Sequence, residues 1–247
     1  MYNFFVEEGA KTSGGYEITG ADHNHIANVL RMKPGDEIYV SCGGRTDLCR
    51  VESIDASSVF VSITEENAIS TELPAILTLF QGIPKGDRME LLVQKTVELG
   101  VSRIVPVEMK RCVVKLDEKR KNSKTARWQA IAESAAKQAK RNVIPEVCAP
   151  VSFGKMLEEA AKLDLFIVPY ENTHGMAGTK EVLAGLKKGM SVGVLIGPEG
   201  GFERDEIEKA LAAGGKTISL GARILRTETA AIAAVGMIGF TLETKED

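Results

Sequence analysis

Hydrophobic and polar positions fall into two textures along the chain. Up to about residue 70, apolar side chains come in short, broken alternations: Asp36-Glu37-Ile38-Tyr39-Val40, Leu48-Cys49-Arg50-Val51 and Ser58-Val59-Phe60-Val61-Ser62-Ile63, interrupted by Gly43-Gly44 and polar turns. A two-residue period belongs to strands with one face on a core, so this part reads as a small β-barrel or sandwich. Residues 25–31 form a short helical insert, closed by the Pro34-Gly35 turn signal. From Glu72 onward, apolar strand candidates at 75–80, 103–107, 165–169, 191–196 and 217–220 alternate with helical periodicities. That alternation predicts a mostly parallel sheet covered on both faces. The boundary falls after residue 71, giving domains 1–71 and 72–247.

The helices have legible ends. Asp87 with Glu90 three residues on has the form of a capping box. Met89, Leu92, Val93, Thr96 and Val97 then make one apolar face, and Gly100 stops the helix. A second helix is expected over 125–140, burying Trp128, Ile131, Ala135 and Ala139, and others over 152–161, 204–213 and 227–242. Residues 115–124 are polar and basic enough to read as a mobile loop.

Composition narrows the class. Apolar residues at 44% and charged residues at 26% are ordinary for a globular protein. No apolar run reaches membrane-span length and no basic stretch precedes an apolar one at the N-terminus, so a cytoplasmic protein with no membrane contact is expected. Cys42, Cys49, Cys112 and Cys148 include no Cys-x-x-Cys pair. His23 and His25 lack a neighbouring Cys, Asp or Glu cluster to complete a ligand set, and no metal is expected. The net charge of −3 hides an asymmetry: residues 103–141 hold 12 Lys or Arg against 4 Asp or Glu, while the remainder holds 19 against 30. A localised phosphate-binding field and a merely solvated basic helix both fit that count.

Candidate chemistry lies near the C-terminus. Val194-Leu195-Ile196-Gly197-Pro198-Glu199-Gly200-Gly201-Phe202 and Leu220-Gly221-Ala222-Arg223-Ile224-Leu225-Arg226-Thr227-Glu228-Thr229-Ala230 each run from an apolar strand through glycine into a helix. Glycine lets a backbone turn sharply and approach a ligand closely. Neither turn matches the dinucleotide fingerprint Gly-x-Gly-x-x-Gly. Gly214-Gly215-Lys216-Thr217 lacks the leading glycine of a P-loop, Ala210 standing there, and its helix-then-strand context is inverted. Thr227 is a natural N-cap for the last helix, and Glu228 suits its first turn. The dipole offers Arg226 nothing, which points it toward an anion.

Taken together, Gln81-Gly82-Ile83-Pro84-Lys85-Gly86-Asp87-Arg88-Met89-Glu90, Gln94-Lys95, Glu98-Leu99-Gly100-Val101, the two glycine turns, Arg111 with Val113-Val114-Lys115-Leu116-Asp117, and Arg127-Trp128 with Gln138, Arg141 and Pro145 closely resemble the ribosomal small subunit methyltransferase E family. That family belongs to the SPOUT class of S-adenosylmethionine (SAM) dependent RNA methyltransferases. The resemblance spans essentially the whole chain. It implies a PUA-like, RNA-binding β-barrel followed by an α/β domain with a parallel sheet and a C-terminal trefoil knot, a homodimer, and methylation of N3 of a uridine in the decoding region of 16S rRNA on the assembled small subunit. Departures from the family pattern are Asn3 in place of arginine, Met109 in place of serine, and Ser134, Lys137 and Ala139 within an otherwise acidic and polar motif. They leave the cofactor motifs untouched and bear on how RNA is placed.

The resemblance implies that SAM lies against Pro169, Tyr170, Glu171, Ile196, Gly197, Pro198, Gly200, Gly201, Leu220, Gly221, Ile224, Leu225 and Thr229. Uracil N3 becomes nucleophilic only when its proton leaves, and a fixed cation stabilises the resulting charge. Arg226 is the first candidate for that cation, with Arg88, Arg111 and Arg141 as alternatives, and Glu199, Glu228 or bulk water is the candidate proton acceptor. A turn-stabilising role for Glu199 stands beside the catalytic one. Arg31, Lys85, Arg88, Arg111, Arg127, Gln138 and Arg141 are expected to contact RNA. A SPOUT enzyme for another RNA target, such as a ribose 2′-hydroxyl in tRNA, and a non-catalytic assembly factor are the competing readings.

Overall fold

The computed structural model describes residues 1–173 and 175–245; His174 and residues 246–247 lie outside. The chain divides into two compact units, Met1–Glu72 with Ala136–Ile144, and Leu73–Ala135 with Pro145–Asp247. The first unit is therefore discontinuous in sequence, where a single cut after residue 71 was expected.

In the first unit, β1 (Asn3–Phe5), β2 (Gly15–Thr19), β3 (Glu37–Cys42), β4 (Arg45–Ile54) and β5 (Ser58–Ile69) form one sheet in the order β1-β3-β4-β5-β2. The β1–β3 pair is parallel and the rest are antiparallel. Alternate side chains of these strands, among them Ile18, Ile38, Val40, Val51 and Val59, fill a core with Phe4 and Ile26. The expected helical insert is one turn of α1 (Gly20–Asn24) running into a π-helical turn at His25–Val29. Arg31 follows it, exposed and at φ +53°, a left-handed value unusual for arginine.

Hydrogen bonds explain why 136–144 belongs here. Glu72 accepts from Arg141 Nε at 2.9 Å and from the Asn142 amide at 2.8 Å, and pairs again with Arg141 Nη2. Asn142 donates to Thr46 Oγ1 at 2.9 Å and Ile69 O at 2.8 Å. Asn3 is buried and donates to the Arg141 carbonyl at 3.1 Å. Arg141, expected on RNA, is instead 1% exposed with its charge spent on Glu72. Lys137 pairs with Asp22 at 3.1 Å.

The second unit contains β6 (Ile76–Gly82), α2 (Arg88–Glu98), β7 (Arg103–Glu108), α3 (Glu118–Gln138, of which 136–138 group with the first unit), β8 (Glu146–Val147), β9 (Val151–Ser152), α4 (Phe153–Ala160), β10 (Leu165–Pro169), α5 (Ala177–Ala184), β11 (Ser191–Ile196), α6 (Arg204–Ala212), β12 (Gly215–Ile218) and α7 (Thr227–Glu243). All its strand pairs are parallel, in the order β12-β10-β11-β6-β7-β8, with β9 also on β7. All of β10 is buried, as doubly covered parallel strands require.

Several local expectations are corrected. Residues 118–124 are helical, not a loop: Lys, Arg and Glu are good helix formers, Lys121 pairs with Glu118 at 3.1 Å, and Asp117 Oδ1 accepts the Arg120 amide at 2.8 Å. Asp87 precedes α2 without a side-chain cap, the Glu90 amide reaching the Asp87 carbonyl instead. The capping box appears at α6, where Glu206 accepts the Glu203 amide at 2.9 Å. Helix α5 had no clear periodicity in sequence; its buried Thr179 exchanges hydrogen bonds with the Ser219 backbone at 3.0 and 2.9 Å, fixing the end of β12.

Candidate functional site

Strands β12, β10 and β11 are neighbours and parallel, so their C-terminal ends open on one side of the sheet. The loops that follow them converge on a cavity of about 440 Å³. Ligands in open α/β sheets sit at such strand ends. The cavity brings together Pro169, Tyr170 and Glu171 after β10, Ile196, Gly197, Pro198, Glu199, Gly200 and Gly201 after β11, and Leu220, Gly221, Ile224, Leu225 and Arg226 after β12. Thr229, expected among the cofactor residues, does not line it. At the start of α7 the residues lining the cavity are Arg226, just before the helix, with Thr227 and Ala230 one turn apart on it, while Thr229 is exposed.

The first glycine turn is built from behind. Gly82, at the end of β6, lies so close to Pro198 that a Cβ there would meet the ring Cδ and nitrogen of Pro198 at 2.7 Å. The Gly201 amide closes the turn on the Pro198 carbonyl at 2.9 Å, with Gly201 at φ +69°. Arg111 braces the solvent side: Nη1 donates to Gly200 O at 2.9 Å and Nε to Glu203 at 2.8 Å. That guanidinium holds the Glu203 carboxyl below the usual carboxylate range. A Cβ on Gly200 would meet Arg111 Cβ at 2.9 Å. Arg111, expected on RNA, is thus engaged with the turn and with Glu203 while remaining exposed.

The second turn is fastened to the first. Thr227 is not the N-cap of α7, a position held by Arg226. Its hydroxyl donates to Gly197 O at 2.6 Å and accepts from Gln81 Nε2 at 2.9 Å, joining β6, the first turn and α7. Gly221 takes φ +107°, and its amide donates to Ser219 Oγ at 3.2 Å.

Charge around the cavity is unevenly paired. Arg88 Nη1 donates to Glu199 Oε1 at 2.8 Å, and Arg88 Nε lies 3.8 Å from Glu228 Oε1. Glu199 Oε1 also accepts the Lys85 amide at 2.9 Å. Arg226 and Arg223 line the cavity, exposed, with no carboxylate partner among the described residues. Of the positions expected on RNA, Arg31, Lys85 and Gln138 are exposed, and Arg127 is exposed but paired with Glu90 at 2.8 Å. Phe202, Ser219, Ala222, Arg223, Thr227 and Ala230 also line the cavity without having been expected on the cofactor. All lie inside or beside the two motifs; Phe202 packs edge-on to Tyr170 at 6.2 Å, an aromatic contact that sequence spacing does not reveal. Among the described residues no cluster of three His, Cys, Asp or Glu could hold a metal, and no helix is long and apolar enough to cross a membrane.

Comparison with known proteins agrees with this layout. Residues 71–239 match the model of an RNA methyltransferase domain, and residues 18–64 that of an RNA methyltransferase PUA domain. The ribosomal RNA small subunit methyltransferase E of Bacillus subtilis (strain 168) is 35% identical over 250 residues, covering 98% of both chains. A putative methyltransferase of Legionella pneumophila, solved with bound SAM, is 32% identical with a TM-score of 0.80, over 96% of this chain and 97% of that one. The Neisseria gonorrhoeae ribosomal RNA small subunit methyltransferase E, solved with S-adenosyl methionine, is 32% identical with a TM-score of 0.78, over 95% of each chain.

Proposed function

Because the chain belongs to the ribosomal RNA small subunit methyltransferase E family of RNA methyltransferases, we propose that it methylates N3 of one uridine in the decoding region of 16S rRNA, on the assembled small subunit. SAM is its cofactor. The cavity suits that ligand: it is large enough for a nucleoside with an amino-acid tail, its walls are mainly apolar side chains and main chain, and two of its glycines take left-handed φ values. Main-chain groups of 169–171, 196–201 and 220–225 would hold it. When bound, SAM supplies a methyl group on a positively charged sulfur.

The observation that carries the reading is the exposed Arg226 at the cavity, beside two carboxylates held on Arg88. The protein must orient the uracil and manage one proton. The N3–H bond breaks, its proton passes to Glu199 or Glu228 or to water, and the N3 lone pair takes the methyl, whose former bonding pair stays on sulfur. Arg226 stabilises the negative charge that spreads over the uracil oxygens, where a fixed cation acts most strongly if water is excluded. Arg31, Lys85, Arg127 and Gln138, with Arg223, contact RNA, mainly its phosphates.

The proposal extends to the trefoil knot, supported by the crossing of β12 beyond β10 and the return of the chain through Thr227 to Gly197. It includes a homodimer, supported by exposed Phe240 on α7 and Leu91 and Leu99 at α2, helices that pack together, and a cytoplasmic location. The test is to offer methyl-labelled SAM with assembled small subunits, naked 16S rRNA or tRNA and locate the label by mass spectrometry. Label on N3 of one decoding-region uridine, strongest with assembled subunits, is expected. Label on a ribose hydroxyl or in tRNA, or none at all, overturns the proposal.

A further inference from the structure

We propose that a second, smaller cavity, within the first unit, takes one unpaired guanine of the substrate RNA and reads its Watson–Crick edge with the Asp47 carboxylate. The inference rests on the proposed RNA substrate and adds a base-reading site that shares no residue with the methyl-transfer cavity.

This cavity has a volume of about 230 Å³, with walls from β2, the β3–β4 turn, β4 and the end of β5. Sites for drug-sized ligands start at about 300 Å³, so this one suits a single ring system. A bulge makes the room. Thr46 faces Ile69 and Leu48 faces Glu65, so β5 advances four residues while β4 advances two, at Asp47. Asn67 stands in that bulge at φ +50°, and its amide donates to Asp47 Oδ1 at 2.9 Å. Bulges that re-aim side chains are enriched beside active sites.

Asp47 is the reason to expect a ligand. It is 6% exposed, lines the cavity and has no cation partner among the described residues. A buried charge without a counter-charge is unfavourable unless donors surround it. Its Oδ2 accepts the Tyr16 hydroxyl at 2.7 Å. Burial, followed by that hydrogen bond, pushes the Tyr16 hydroxyl well up, which keeps it a donor. A carboxylate has about four lone-pair sites, and the fold fills two, one on each oxygen. Tyr16 and Asn67 account for an acidic side chain here; they leave unexplained the cavity that it lines.

Guanine is the standard base that matches two adjacent acceptors. It offers N1–H and the N2 amino group side by side, whereas uracil offers one N–H, and adenine and cytosine one amino group beside an acceptor. Lys11, Arg45, Glu8 and Glu66 also line the cavity, all exposed, and none makes an ion pair among the described residues. Charge balanced in this way draws in neither a polycation nor a polyanion. It suits an uncharged ring inside, with one backbone phosphate at Lys11 or Arg45. Sequence-specific recognition of RNA reads unpaired bases on this edge.

The experiment has two readouts, neither of which needs methyl transfer. The first is amide chemical shifts of the isotope-labelled full chain titrated with GMP, AMP, CMP, UMP or inorganic phosphate. GMP should move the Asp47 and Asn67 amides, and the other four should leave them in place at the same concentration. The second is fluorescence anisotropy with uridine octamers carrying one central guanosine, one inosine or neither. The guanosine octamer should bind about 5- to 150-fold tighter than the plain one, the range for one bidentate base contact. Inosine, which lacks the N2 amino group, should fall between them. Asp47→Asn should erase the preference; if that variant melts far below the wild type, the inosine comparison in the wild type decides alone. Equal shifts from all four nucleotides, shifts from phosphate alone, or octamers that bind alike would overturn the inference. GMP binding without any preference among octamers would make this a site for a free nucleotide and overturn the RNA assignment. A cavity that reads guanine in a protein that methylates no uridine would instead sink the proposed reaction and leave this site standing.

Discussion

Gly82 lies outside the cavity, yet the structure makes it a support of the first glycine turn. A methyl group at this position would stand 2.7 Å from both Cδ and the nitrogen of Pro198, and 2.9 Å from Met109 Sδ. Carbon contacts are comfortable at about 3.5–4.0 Å, so the neighbours must retreat by roughly 1 Å. Met109 has rotatable bonds and can yield, but Pro198 is ring and backbone at the head of the first turn and can move only by carrying Gly197–Gly201 along. Overpacking of this kind costs about 1–3 kcal/mol. If half of that strain appears only when the turn must take its binding shape, SAM affinity falls by about 2- to 12-fold, each 1.4 kcal/mol being a factor of ten. Calorimetric titration of SAM into Gly82→Ala, alongside thermal unfolding of both proteins, measures the two effects separately. A SAM dissociation constant within about twofold of wild type in a normally folded variant would refute the view that β6 backs the turn through Gly82.

Arg226→Ala should slow single-turnover methylation by about 100- to 1,000-fold, as loss of one charge-stabilising donor does, while SAM affinity in calorimetry stays nearly unchanged. Arg141→Ala should lower unfolding free energy in urea by about 3 kcal/mol, because it removes the buried guanidinium from Glu72 and leaves that carboxylate only its backbone amide donors; a neutral result would reopen a role for Arg141 on RNA. Burial, followed by the Asp47 charge, pushes the Cys49 thiol up to about 12. Native protein at pH 8.5 should therefore leave Cys49 unalkylated by iodoacetamide in a mass-spectrometric time course. The same shift sets a sign for stability. The folded state holds the proton more tightly, so this contribution is intact below the ordinary thiol value of 9.0 and is lost as pH rises from there toward about 12. Melting temperatures across that range should fall, and fall less in Cys49→Ala. Binding of rRNA should weaken steeply with salt, with a log–log slope of about −3 or steeper if four or more phosphates are neutralised; a flat response would remove the electrostatic reading.

The strands and most helices were legible because burial imposes a period. Val192, Val194, Leu195 and Ile196 form an unbroken apolar run because β11 is covered on both faces, and Ile38 and Val40 alternate because β3 has one buried face. Helix α5 and the early start of α3 were not legible. The first is short and tied down by Thr179 and Ser219 across 40 residues of chain; the second rests on local ion pairs in a polar stretch. The residues that line the cavity could be read from glycine and proline because main-chain turns leave their signature in residue type. Side-chain roles could not: Arg88, Arg111 and Arg141 carry the same charge as Arg226, and nothing in sequence says which is already partnered.

The sequence by itself determined the two-part organisation, the parallel α/β second part, the glycine turns and the family, since each depends on residue types and their spacing. Tertiary structure decided the partners. It joined 136–144 to the first unit through Glu72, tied the two glycine turns with Thr227, set Gly82 behind Pro198, and paired four of the candidate arginines, Arg88, Arg111, Arg127 and Arg141, while leaving Arg226 at the cavity without a carboxylate partner among the described residues. The physical reason is range. Periodicity and turn chemistry act over a few residues, whereas hydrogen bonds and ion pairs join groups 30 to 146 residues apart, and only the folded chain brings those together.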